Sequence, residues 1–116
     1  MQPSLTEFLH HIKDEINFCL SQTEGKDYEI FSNDQILTRA VVRSLEIIGE
    51  AAKKIPPDFR SQFPLIAWKD ISGMRDRLIH HYFGVDFEIV WNTIKDDLPI
   101  LSEWMEPMIS ASKDFK

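Results

Sequence analysis

Apolar side chains recur along this chain at helical spacing. Leu5, Phe8, Leu9, Ile12, Ile16 and Cys19 fall mostly three or four residues apart, which lays them on one face of a helix. Ser4 precedes them with Glu7 three positions on, a pairing that satisfies the free amides of a helix start, so the first helix is expected to begin near Ser4 or Thr6. The polar run 21–25 ends it, with Gly25 supplying backbone freedom. Residues 28–31 predict a short lead-in, and Asn33 or Asp34 the cap of a second long helix. Its stripe of Ile36, Leu37, Ala40, Val41, Ser44, Leu45, Ile48 and Ala51 or Ala52 is nearly unbroken. The small residues there allow close helix contacts. Pro56 and Pro57 must stop this helix, because proline lacks an amide proton and clashes with the preceding turn.

A short helical turn over 58–63, interrupted by Pro64, leads to a third main helix expected from 68 to about 82. It places Ile71, Met74, Leu78 and Ile79 toward the core, with Gly84 as its stop. Asp86 predicts the cap of a fourth helix reaching about 95, which carries Phe87, Val90, Trp91 and Ile94. Pro99 lies near the start of a fifth, with Leu98, Leu101, Trp104, Met105, Met108 and Ile109 as its apolar side. Pro107 should kink that helix or confine its continuous part to the C-terminal segment. There is no internal repeat and no alternation long enough for a sheet. The expected fold is all-α, a compact up-and-down bundle of four to five helices joined by short connections.

Composition narrows the setting. The 116 residues suit one domain, and 43% apolar with 28% charged side chains is a soluble, globular balance. No apolar run approaches the roughly 18–20 residues that cross a bilayer. Residues 1–15 lack the basic start of a signal peptide. The single cysteine, Cys19, cannot form an internal disulfide and sits among Ile16, Phe18 and Leu20, so it reads as a small buried hydrophobe in a cytoplasmic protein.

The net charge of −6 argues against a general nucleic-acid coat, which would present a broad basic surface. The charge is uneven, however. Between 58 and 83, Arg60, Lys69, Arg75 and Arg77 outnumber Asp58, Asp70 and Asp76 and leave +1, whereas residues 84–116 carry −4. That pattern accommodates a local phosphate site.

The segment 74–83, MRDRLIHHYF, holds the candidate chemistry. On a helix, Asp76 and His80 share a face, and so do Arg77 and His81. Arg75 and His80 lie about 140° apart, able to flank one groove if the helix edge faces it. Arg75 offers a permanent charge and a planar donor fork for a phosphate. His80 titrates near neutrality and can exchange a proton with a ribose 2′-hydroxyl or a leaving oxygen. Asp76 could orient His80, and Tyr82 could donate to phosphate or stack on a base. RNA carries its own nucleophile, so such a site requires no metal or cofactor, and the sequence offers no metal-ligand cluster. The same residues also suit a solvated charged face with helix-end histidines near the C-terminal dipole.

The stretch 73–86, GMRDRLIHHYFGVD, resembles the signature of the HepT-like family, within the HEPN group of helical proteins. The likeness continues through Pro64 and Trp68 before it, Ile89-Val90-Trp91, Asp97-Leu98-Pro99 and Leu101 after it, and the helix with Ile48-Gly49-Glu50-Ala51-Ala52 upstream. The family's motif of arginine, polar residue, three residues, histidine, one residue and tyrosine falls on Arg75, Asp76, residues 77–79, His80, His81 and Tyr82. The polar position is frequently asparagine in the family, whereas Asp76 here would repel phosphate unless it faces His80.

The resemblance implies a HEPN-like fold and a metal-independent endoribonuclease that is the toxin of a toxin–antitoxin pair. It further implies a two-fold homodimer whose cleft gathers one motif from each chain, with Arg77 and His81 adding positive potential. The implied partner is a small nucleotidyltransferase antitoxin, which in some systems attaches AMP to the tyrosine matching Tyr82. A different class of function stays open beside it, namely a catalytically silent helical protein that binds a nucleotidyltransferase or a nucleotide.

Other residues invite blander readings. His10 and His11 point about 100° apart and have no acidic ligands at matching spacing, so surface roles fit them. Trp68, Trp91 and Trp104 could stack bases, but all three sit at apolar spacing and suit packing. Lys53 and Lys54 complement the dipole at the end of the second long helix. Gly25, Gly49, Gly73 and Gly84 are too dispersed for a phosphate loop.

Overall fold

The computed structural model describes residues 4–78 and 84–115. Eight α-helical segments lie among them: α1 (Leu5–Thr23), α2 (Tyr28–Asn33), α3 (Gln35–Lys53), α4 (Pro57–Arg60), α5 (Trp68–Ser72), α6 (Met74–Leu78), α7 (Phe87–Asn92) and α8 (Leu98–Ser112). A π-helical turn, Thr93–Asp97, joins α7 to α8 without a break in helicity. The fold is all-α, as the hydrophobic periodicity requires.

The expected starts hold. Ser4 accepts from the Glu7 amide and Glu7 reaches back to the Ser4 amide. Asp34 accepts from Leu37 N at 2.9 Å to open α3, and Asp86 accepts from Glu88 N and Ile89 N to open α7. These carboxylates satisfy orphan amides and meet the positive helix end.

Helices α1 and α3 run antiparallel. Phe8 and His11 near the start of α1 share a groove with Ala51 and Lys54 at the end of α3, while Phe18 and Gln22 meet Asp34 and Leu37. Helix α8 is also antiparallel to α1, because Thr6 hydrogen-bonds Ser112 at 2.7 Å and Lys13 pairs with Glu106 further along. Leu9, Ile12, Ile16, Val41, Leu45, Ile48, Leu98, Leu101, Met105 and Met108 are buried between these three helices, and Phe31, Phe59, Leu78 and Val90 extend the same core into the short ones. Burying each such side chain contributes roughly 1.5–3 kcal/mol relative to exposure.

Three expectations need correction. The third main helix is divided at Gly73, where ψ of 16° leaves helical geometry and α6 begins afresh. Glycine's low helix propensity permits the joint. Ile36, assigned to the apolar stripe of α3, is 84% exposed, because it lies in the first turn at the rim of the groove between α1 and α3 rather than in the core. Pro107 does not confine the last helix to its end; α8 runs from Leu98 to Ser112 through it. The carbonyl that loses its donor there belongs to Glu103, and both Glu103 and Pro107 are exposed, so that carbonyl is on the side open to solvent. Gly84 has φ of +98°, the left-handed region expected of a helix stop.

Cys19 is fully buried, as expected, and burial pushes its thiol up to about 12, against a smaller opposing effect of the Ser44 hydroxyl. The folded state therefore keeps a proton that the unfolded chain releases above about 9, so stability falls as pH rises from there toward 12. The loss approaches about 1.4 kcal/mol per pH unit. Urea unfolding at pH 8 and pH 10 should show this decline, reduced in Cys19→Ala. Iodoacetamide at pH 8 should leave the native thiol unmodified.

Candidate functional site

Helix α6 is only five residues long, so its position depends on anchors at both ends. At its start, α3 presents Gly49. A Cβ added there would lie 3.1 Å from the Ile71 carbonyl oxygen and 3.1 Å from Met74 Cβ, so the bare glycine lets the α5–α6 elbow rest directly on α3. Met74 and Leu78, both buried, fix the inner face. At its end, Asp86 N donates to the Leu78 carbonyl at 2.9 Å and ties the start of α7 to the end of α6. A short helix held at both ends gives its outward side chains defined directions.

Arg75 and Asp76 occupy that outward side and both are exposed. The Arg75 side chain is 68% accessible, with Nε 3.7 Å from Glu46 Oε2 on α3. At that separation the contact is a charge pair rather than a close hydrogen bond. It is made through Nε, so it leaves the edge formed by the two terminal nitrogens, one of the two edges able to grip a phosphate in a bidentate way, unoccupied by Glu46. Glu46 was not apparent as a site residue from the sequence. It sits among other polar positions of α3, and its pairing with Arg75 exists only in three dimensions.

Arg77 points elsewhere. Two residues on from Arg75, it is rotated about 200° around the helix, and its Nη2 lies 3.6 Å from Asp97 Oδ2 in the π-helical turn. It lines a cleft of about 120 Å³ with Asp70, Asp97, Ile71 and Ile100. That volume is below the roughly 300–1,000 Å³ of sites that enclose a drug-sized ligand. The structure therefore separates Arg75 from Arg77. His80, His81 and Tyr82 lie outside the described residues, so the expected Asp76–His80 and Arg77–His81 pairings lie outside them as well.

Other candidates have structural work. Trp68 donates its indole N–H to the Arg60 and Phe63 carbonyls at 3.1 and 3.0 Å. Trp91 packs on Phe31 with ring centroids 5.2 Å apart, and Trp104 on Phe63 at 6.0 Å. Arg60 donates to the Ala52 and Ile55 carbonyls at the end of α3 and is held over Trp68, so it is a capping residue. Lys53 pairs with Glu50 at 3.3 Å. Among the described residues no group of three or more His, Cys, Asp or Glu is placed to hold a metal. No described helix is long and apolar enough to cross a membrane.

Residues 12–108 match the family model described as Ribonuclease HepT-like. The chain is 45% identical over 106 residues to "Putative RNase TTE0752" of Caldanaerobacter subterraneus subsp. tengcongensis, covering 91% of this chain and 95% of that protein. It is 47% identical over 105 residues to "Putative RNase MJ0125" of Methanocaldococcus jannaschii, covering 90% and 87%. With "Probable ribonuclease HepT" of Thermococcus cleftensis the identity is 42% over 108 residues, covering 93% and 98%. No solved structure matches. A helical bundle that displays Arg75 and Asp76 on a short anchored helix, joined to matches over nearly its whole length, belongs to the ribonuclease HepT-like family.

Proposed function

We propose that this protein is a metal-independent endoribonuclease in which Arg75 holds the scissile phosphate and His80 moves protons. The observation that carries the reading is the accessible Arg75 guanidinium, whose terminal edge is left unused by Glu46. Membership of a family described as ribonuclease HepT-like, and relatives named as RNases, support RNA as the substrate. In the proposed reaction the 2′-oxygen attacks phosphorus as its proton leaves. The P–O bond to the 5′-oxygen of the next nucleotide then breaks, and that oxygen takes up a proton. The products are a 2′,3′-cyclic phosphate and a free 5′-hydroxyl. Arg75 stabilises charge on the phosphoryl oxygens as it redistributes. Asp76 and Tyr82 support this chemistry, by orienting His80 and by donating to the phosphate or stacking on a base.

The same reading makes the chain the toxin of a toxin–antitoxin pair and a homodimer that brings two motifs, with Arg77 and His81, to one cleft. Its partner is a small nucleotidyltransferase that silences it by transferring AMP to the Tyr82 hydroxyl. Purified protein incubated with single-stranded RNA and excess EDTA should yield fragments ending in 2′,3′-cyclic phosphate. Absence of cleavage across varied RNAs, together with stable capture of the nucleotidyltransferase, would instead identify a catalytically silent partner protein.

A further inference from the structure

The exposed face of α3 beside Arg75 differs in charge from the rest of this acidic chain. Arg39, Arg43, Lys53 and Lys54 share it with Glu46 and Glu50, a local net charge of +2 in a protein of −6, and Arg75 adjoins it through Glu46. Arg39 and Arg43 make no ion pair among the described residues, whereas Lys53 is neutralised by Glu50. At 1.5 Å per residue, Arg43 stands about 4.5 Å and Arg39 about 10.5 Å along the axis from Glu46. Seen around the axis, all three fall within about 60° of one another, so the two free guanidiniums and Arg75 form a row.

Beside this row, between α1 and α3, lies a groove of about 230 Å³. Phe8, Ile47 and Ala51 supply its apolar surface, and His11, Arg43 and Lys54 line it together with Glu50, whose carboxylate is paired with Lys53. Cations that follow a backbone, next to an apolar aromatic surface for a base, are the combination that binds a single strand without reading its sequence.

We infer that the α3 face, with Arg39 and Arg43 as its main phosphate contacts, is the track that binds the RNA strand flanking the bond held at Arg75. This rests on RNA being the substrate, but not on cleavage. It also accounts for an acidic protein acting on a polyanion, since only one face needs to attract the strand.

The test uses a fluorescently labelled, fully 2′-O-methylated RNA 12-mer, which lacks the nucleophile and cannot be cut by this route. Its anisotropy is titrated with the parent, with R39A/R43A, and with K95A/K113A, which removes two exposed lysines that are not on α3. R39A/R43A should bind at least tenfold more weakly in low salt. Its slope of log affinity against log salt should be shallower by about 1.4, two contacts at roughly 0.7 each on a single strand. The lysine control should stay within twofold of the parent. Equal weakening in both double variants, an unchanged R39A/R43A, or a parent that does not bind would each overturn the track. Binding that behaves as expected in a protein that never cleaves RNA would overturn the catalytic reading and leave the track standing.

Discussion

Replacing Arg75 with alanine should lower the rate of RNA cleavage about 10²–10³-fold, the usual consequence of removing one preorganised donor from a developing oxyanion. Replacing His80 should lower it about 10²–10⁴-fold through loss of proton transfer. The two losses should not multiply in the double variant, because residues that act on one transition state act as a unit. Stability should stay within about 0.5 kcal/mol for Arg75→Ala, since the side chain is largely in water and its contact with Glu46 is an exposed pair. Single-turnover cleavage of a labelled RNA, with thermal melts alongside, reads both quantities. If Arg75→Ala cleaves as fast as the parent, the assignment of this arginine is wrong. Where the protein is toxic, growth inhibition in cells should disappear with the same variant.

The second large effect is expected at a position that touches no substrate. Gly49→Val should destabilise the protein by about 1–3 kcal/mol, the cost of forcing extra atoms into a packed contact. A side chain there meets the Ile71 carbonyl and the Met74 Cβ, neither of which is a flexible tip that can swing away. The elbow must move off α3, and Arg75 moves with it, away from Glu46. Cleavage should therefore fall well beyond the fraction of molecules unfolded at the assay temperature. Urea titration gives that fraction, and activity that simply tracks it would show that the elbow does not position Arg75. Gly49→Ala is the milder companion, because the gain in helix propensity of about 1 kcal/mol opposes the tight contact.

What could be read from the sequence is what depends on near neighbours. The caps at Ser4, Asp34 and Asp86 involve residues two to three positions apart and were legible for that reason, with Asp34 the one of the two candidates, Asn33 and Asp34, that caps α3. The buried stripes of α1 and α3 were legible for the same reason, apart from Ile36, since periodicity marks a face but not whether another helix lies opposite. The break at Gly73 was hidden because Ile71, Met74 and Leu78 keep helical spacing across it. Pro107 was read as either a kink or a break, and of these the break is absent, since α8 continues through it with Glu103 and Pro107 both on the exposed side. Arg75 and Asp76 were legible as exposed motif residues. The pairs Arg75–Glu46 and Arg77–Asp97 were not, as each joins residues twenty or more positions apart through tertiary packing.

The π-helical turn between α7 and α8 bears on how this region tolerates change in length. Residues 87–112 form one continuous helical run, buried at Val90, Thr93 and Ile94 up to the turn and at Leu98, Leu101, Met105 and Met108 beyond it. The Leu98 amide donates to the Thr93 carbonyl five residues back, so this turn is wound more widely than an α-helix. The swelling is thus a phase adjuster carrying one surplus residue. Deleting the exposed Asp96 would return the run to ordinary winding while both flanking stripes keep facing inward. The same deletion in mid-α8 would swing everything beyond it by a quarter turn.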